Sequence, residues 1–114
     1  MIGLWNAGLP NNPGKWKTVE EVDAMNARII VSGRVQGVGF RYTVMQKALE
    51  QGINGWVRNN EDGTVEMEVE GTKEKIETFI HSLNKRLNPF IKITDMKIEY
   101  KEEEAGYKDF RIRY

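Results

Sequence analysis

One run in the chain carries residue types suited to anion chemistry. Residues 33 to 41 read Gly-Arg-Val-Gln-Gly-Val-Gly-Phe-Arg. An apolar strand pattern precedes the run and a helix pattern follows it. The run therefore reads as a glycine-punctuated turn from strand to helix that ends in an arginine. Such a turn can aim successive backbone N–H groups at one point beside a helix N-terminus. Arg41 brings a forked cation to that point, where the helix macrodipole opposes a positive charge. Gly39 and Phe40 offer no side chain to cap the free N–H groups. A phosphate-like anion would resolve both problems, since charge-assisted hydrogen bonds contribute about 1.5–3 kcal/mol each. Alone, the run is as readily an ordinary connection as a site. It has neither a Gly-Lys-Ser/Thr ending nor Gly-x-Gly-x-x-Gly spacing, so it is not a nucleotide loop.

The elements around it must hold this turn in place. Ala27 to Ser32 is a strand rich in β-branched residues. After the turn, Phe40, Val44 and Ala48, with Met45 and Leu49, repeat at helical spacing until Gly52. Ile53 to Asn59 is a second strand, and Asn60-Glu61-Asp62-Gly63 a hairpin turn. Val65, Met67 and Val69 alternate with Glu66, Glu68 and Glu70 in a third strand. The carboxylate row is expected on a solvated face, with Arg28 or Arg58 as possible cross-strand partners.

A second helix follows Gly71 and Thr72, with Ile76, Phe79, Ile80, Leu83 and Leu87 as its apolar stripe. Lys85 and Arg86 suit its C-terminal end, Asn88-Pro89 stops it, and His81 lies off the stripe. Ile91 and Ile93 then share one parity, and Met96, Ile98 and Tyr100 the other. The switch near Thr94 implies a bulge, or a strand that begins only after it. Lys101 to Gly106 is an acidic turn, and Phe110, Ile112 and Tyr114 form a short last strand.

The order βαββαβ plus a C-terminal strand predicts an α+β fold, the ferredoxin-like split βαβ sandwich. Two helices cover one face of a mainly antiparallel sheet. In it the first two strands run parallel with the third between them, so the glycine turn and the end of the second strand share one rim, about 10 Å apart. An amide there, Asn59 or Asn60, can face Arg41.

Composition narrows the chemistry. The 114 residues suit one domain. Seventeen basic and 17 acidic residues balance, so any anion site is local and no nucleic-acid surface is expected. Cysteine is absent and His81 is the only histidine, which excludes thiolate chemistry and argues against a metal centre. No apolar run approaches the roughly 20 residues of a membrane span. Residues 1–25 hold Gly3, Gly8, Pro10, Pro13 and Gly14 around Trp5 and Trp16, and read as an irregular extension before a domain at 26–114. Thr18 to Met25 could form a helical turn. The extension is either a natural segment that docks its tryptophans or an addition ahead of an original start at Met25. It has no secretory pattern, so the cytoplasm is the expected location.

With both motifs in view, Gly33 to Arg41 resembles the acylphosphatase signature. Gly55-Trp56-Val57-Arg58-Asn59, followed by Asp62-Gly63-Thr64-Val65-Glu66, is similar to that family's second signature, and Phe110-Arg111-Ile112-Arg113-Tyr114 to its ending. The resemblance runs from about residue 26 to the end. It implies a monomeric enzyme that hydrolyses the carboxyl-phosphate bond of acyl phosphates with water, without metal or cofactor, releasing inorganic phosphate. It also implies that Arg41 and the backbone N–H groups of Gln36, Gly37, Val38, Gly39 and Phe40 bind the phosphoryl group. Asn59, rather than Asn60, then positions the attacking water, and the substrate's own phosphate takes its proton. Glycine stands at position 39, where many animal members carry cysteine. The rim shows no pocket for the acyl group, so low selectivity is expected. The alternative is a non-catalytic acylphosphatase-like or ferredoxin-like binding module, such as the N-terminal domain of a hydrogenase-maturation carbamoyltransferase or an RNA binder. The short cysteine-free chain, zero net charge and lack of paired aromatics on the open sheet face weigh against it.

Overall fold

The computed structural model describes residues 4–5, 17–18, 24–85 and 87–114. The chain order is β1 (Leu4–Trp5), β2 (Lys17–Thr18), β3 (Ala24–Arg34), α1 (Phe40–Gln51), β4 (Asn54–Asn59), β5 (Val65–Thr72), α2 (Lys73–Leu83), β6 (Lys92–Lys101) and β7 (Phe110–Arg113). β1 and β2 pair with each other, while the other five strands form one sheet in the order β6-β3-β5-β4-β7. This is the α+β arrangement expected from the sequence, with α1 over β4 and β7 and α2 over β5 and β3. β7 lies parallel to β4, with Val57 opposite Ile112 and Arg58 opposite Arg113.

The core follows the two periodicities. Ala27, Ile29 and Val31 of β3 and Val65, Met67 and Val69 of β5 alternate inward and are fully buried. Phe40, Val44 and Ala48 of α1 and Ile76, Phe79, Ile80 and Leu83 of α2 close over them. Thr72 caps α2 by accepting from Lys75 N at 3.1 Å. No helix among the described residues is long and apolar enough to cross a membrane.

Several expectations are corrected. The helical turn over Thr18–Met25 does not form at its ends. Thr18 belongs to β2, and Ala24 and Met25 pair with Thr72 and Gly71 of β5, so sheet pairing overrides local preference; residues 19–23 lie outside the described residues, as does Arg86. α2 ends at Leu83 with Asn84 as its cap, so Leu87 packs on the core from outside the helix. Leu49 stays 62% exposed on α1 and does not join the core. The parity switch in β6 is a bulge, because Ser32 faces Asp95 while Gly33 faces Ile93, leaving Thr94 unpaired. Gly33 makes that possible, since a Cβ there would lie 2.1 Å from Lys92 O.

The carboxylate row departs most from expectation. Glu66 and Glu70 are buried, at 4% and 3% exposure. Glu66 sits between Arg28 (2.5 Å) and Arg58 (3.1 Å). Glu70 accepts from Asn26 Nδ2 (2.7 Å), Ala105 N, Gly106 N (3.0 Å) and Tyr107 N (2.9 Å). The loop before β7 thus folds back over this face. Tyr107 Oη accepts from Trp56 Nε1 at 2.9 Å, and Tyr107 O from Asn54 Nδ2 at 3.1 Å.

Burial pushes the Glu66 carboxyl up, but the Arg58 hydrogen bond and the charges of Arg28 and Arg58 outweigh it and hold the pKa below its ordinary 4.5. A depressed carboxyl contributes stability above its unfolded pKa and loses it as pH falls through the folded value. Glu66→Gln should therefore destabilise at neutral pH, by about 1–3 kcal/mol, and show a shallower loss on acidification. Urea titrations of both proteins down through the carboxylate range check this. Parallel acid limbs would contradict it.

Candidate active site

The site begins where β3 ends. Gly37 and Gly39 take φ of 73° and 78°, and no non-glycine residue among those described has positive φ, Val38 included. Alternating left-handed glycines with Val38 turns successive amides toward one side. A Cβ at Gly37 or Gly39 would meet nothing within 4 Å, so the backbone conformation and not space requires glycine. α1 then starts at Phe40 with Gly39 as a cap that makes no side-chain hydrogen bond, and its first turn holds no acidic residue. Thr43 N bonds back to Gly39 O at 3.1 Å. The amides of Phe40, Arg41 and Tyr42 precede that bond, at the positive end of the helix.

Two side chains brace this loop from opposite sides. Gln36 Nε2 donates to Asn60 O (2.8 Å) and Thr64 O (2.9 Å) of the β4–β5 hairpin. Asn88 Nδ2 donates to Val38 O at 3.3 Å, while its Oδ1 accepts from Phe90 N and Ile91 N. The hairpin is fixed in turn. Thr64 N and Oγ1 donate to Asp62 Oδ1 (3.0 and 2.6 Å), and the Thr64 bonds hold the Asp62 carboxyl below its ordinary range. Asn60 is committed to that turn, donating to Thr64 Oγ1 at 3.0 Å. Asn59, at the end of β4, faces the loop instead.

An open cavity of about 240 Å³ lies between these parts. Arg41 and Asn59 are its polar side chains; Gly37, Gly39, Val35, Phe40, Tyr42, Ile112 and Tyr114 supply the rest. The Asn59 Oδ1 atom is buried and has no hydrogen-bond partner among the described residues. The Arg41 guanidinium stands 5.0 Å from the centre of the Tyr114 ring. A larger hollow of about 400 Å³ beside Gln51, Thr72 and Lys75 contains no such loop.

Among the residues singled out from sequence, Gly37, Gly39, Phe40, Arg41 and Asn59 come together on the cavity. Phe40 is buried, with its amide at the helix start. Gln36 and Val38 act in this geometry as points where the loop is tied down. The bracing by Asn88 and the cavity walls Tyr42, Ile112 and Tyr114 escaped the sequence reading.

The acylphosphatase family model matches residues 27–112. The chain belongs to the acylphosphatase family. An acylphosphatase of Bacillus licheniformis is 49% identical over 87 residues, spanning 76% of this chain and 96% of that protein. The crystal structure of the Bacillus subtilis acylphosphatase superposes with a TM-score of 0.75 at 41% identity, covering 79% of this chain and 99% of that one. An acylphosphatase structure from Coxiella burnetii gives 0.77 at 33% identity, covering 85% and 100%. As an acylphosphatase the chain hydrolyses acyl phosphates, and nothing in its likenesses favours a non-catalytic module.

Proposed function

We propose that Arg41 and the backbone N–H groups of residues 36 to 40 bind the phosphoryl group, and that Asn59 holds the attacking water. The Asn59 side chain on the same cavity as Arg41 and the glycine loop carries this reading. A carboxamide has both donor and acceptor groups, so it can hold a water while one of the water's lone pairs faces phosphorus. The water oxygen bonds to phosphorus, and the bond from phosphorus to the acyl oxygen breaks. The carboxylate leaves with that electron pair, and the water's proton passes to a phosphoryl oxygen. The described lining residues include no acidic side chain and no histidine, which suits proton transfer to the substrate itself. A carboxylate is a good leaving group, so little acid catalysis is needed. The work that remains is positioning and charge stabilisation on the equatorial oxygens.

In this proposal the reaction needs no metal, and its products are a carboxylate and inorganic phosphate. Residues 26–114 carry the activity, with 1–25 as an extension outside it. In this reading the protein acts as a cytoplasmic monomer, and its cysteine-free sequence suits a reducing compartment.

Hydrolysis of benzoyl phosphate and acetyl phosphate in excess EDTA tests the proposal, with undiminished turnover expected. Turnover that stops in EDTA and returns with a divalent cation would overturn the metal-free step. Asn59→Ala should lower kcat about 10²–10³-fold, the range seen when one positioned hydrogen-bonding group is removed, while the inhibition constant of inorganic phosphate moves little. Equal losses in both would contradict water positioning.

A further inference from the structure

The cavity has both polar and apolar lining. A phosphoryl group held by Arg41 and the glycine loop leaves its acyl group to the remaining lining residues. Two aromatic residues share this cavity with Arg41. Tyr42 is 56% exposed and Tyr114 fully exposed, and both line the cavity. Neither ring is placed by the core. Tyr42 follows Arg41 on α1, and its Oη accepts from Gln46 Nε2 one turn on, at 3.1 Å. Tyr114 continues β7 past its pairing with β4, beside the Arg41 guanidinium. Ile112, half-buried on β7, lines the same cavity. Exposed rings that line a cavity are an apolar surface that a ligand can cover.

We propose that Tyr42 and Tyr114 form an acyl subsite that selects flat, aromatic acyl phosphates over small aliphatic ones. The inference rests on the phosphoryl site proposed above and names the substrate class that site takes. Ring pairs at offset or edge-to-face distance contribute modestly beyond their buried area, equivalent to about two- to tenfold in kcat/KM for each ring engaged.

Benzoyl phosphate and acetyl phosphate differ in intrinsic reactivity, so the informative quantity is how their kcat/KM ratio changes between variants. Tyr42→Ala should lower the benzoyl-to-acetyl ratio about two- to tenfold, and Tyr42→Phe, which keeps the ring, should restore it. Tyr114→Leu should lower the ratio too, on top of a loss with both substrates through Arg41. A ratio that stays at the wild-type value in both Tyr42→Ala and Tyr114→Leu would overturn the subsite while leaving the phosphoryl site standing. Failure of the wild type to turn over either substrate would overturn the phosphoryl site and the subsite with it.

Discussion

Replacing Arg41 by alanine should lower kcat/KM for benzoyl phosphate by about 10³-fold or more, the scale on which an arginine acts in phosphoryl transfer. The stability of the free protein should hardly change, and three terms decide this. Arg41 occupies the first turn of α1, which has no acidic residue to offset it; relieving that clash with the helix dipole gains about 0.3–1 kcal/mol. Its contact with the Tyr114 ring, 5.0 Å away, is lost at a cost of about 0.5–1 kcal/mol for an exposed pair. No salt bridge to Arg41 is found among the described residues. The first two terms cancel to within their size. The decisive measurement is the melting temperature with and without inorganic phosphate. Wild type should be raised by phosphate and Arg41→Ala should not. A variant still protected by phosphate would show that the glycine amides hold the anion unaided.

The largest loss of stability should come from Glu70, far from the chemistry. Its carboxylate is the acceptor for Asn26 Nδ2 and for three consecutive backbone amides, Ala105 to Tyr107. Glu70→Ala leaves all four donors without that partner. Asn26 is buried and loses most, although its bond to Glu68 remains; the loop amides can turn to water. Buried donors left unsatisfied cost about 1–3 kcal/mol each, so a total of about 2–4 kcal/mol is expected, equivalent to a fall in Tm of roughly 10–20 °C for a domain of this size. The same loop leads into β7, so the Ile112 and Tyr114 wall should loosen and kcat/KM fall as well. Thermal melts and assays below the midpoint separate the two effects. A Tm within about 3 °C of wild type would show that the clamp is dispensable.

Those two residues mark where the sequence was legible. The glycine turn could be read because its parts are adjacent: a strand pattern, glycines, an uncapped helix start and an arginine. The strands could be read from parity, and even the Thr94 bulge showed as a change of parity. For the glutamates, parity correctly placed all three on one face and failed on exposure. What covers Glu70 is backbone 35 to 37 residues later in the chain, and no local pattern announces such a fold-back. Leu87 fitted the stripe of α2 by spacing, yet the helix ends at Asn84, whose amide bonds to Ile80 O and His81 O. Local physics could not choose between Asn59 and Asn60 either. In the structure Thr64 and Gln36 engage Asn60 in the hairpin, while Asn59 lines the cavity. Tyr114 stayed out of sight because the sequence does not say which strand the last one joins.

The Gln36 carboxamide has a meaning beyond geometry. It bonds to carbonyls 24 and 28 residues away, so the half of the site made by a local turn is fastened to the half made by a long-range hairpin. Neither half has its final shape until the central strands have paired. A collapsed chain with α1 formed and β4–β5 unpaired would present Arg41 without a facing amide. Recovery of turnover during refolding should then lag behind helix formation and coincide with burial of the sheet, making catalysis a clock for the last cooperative step of folding.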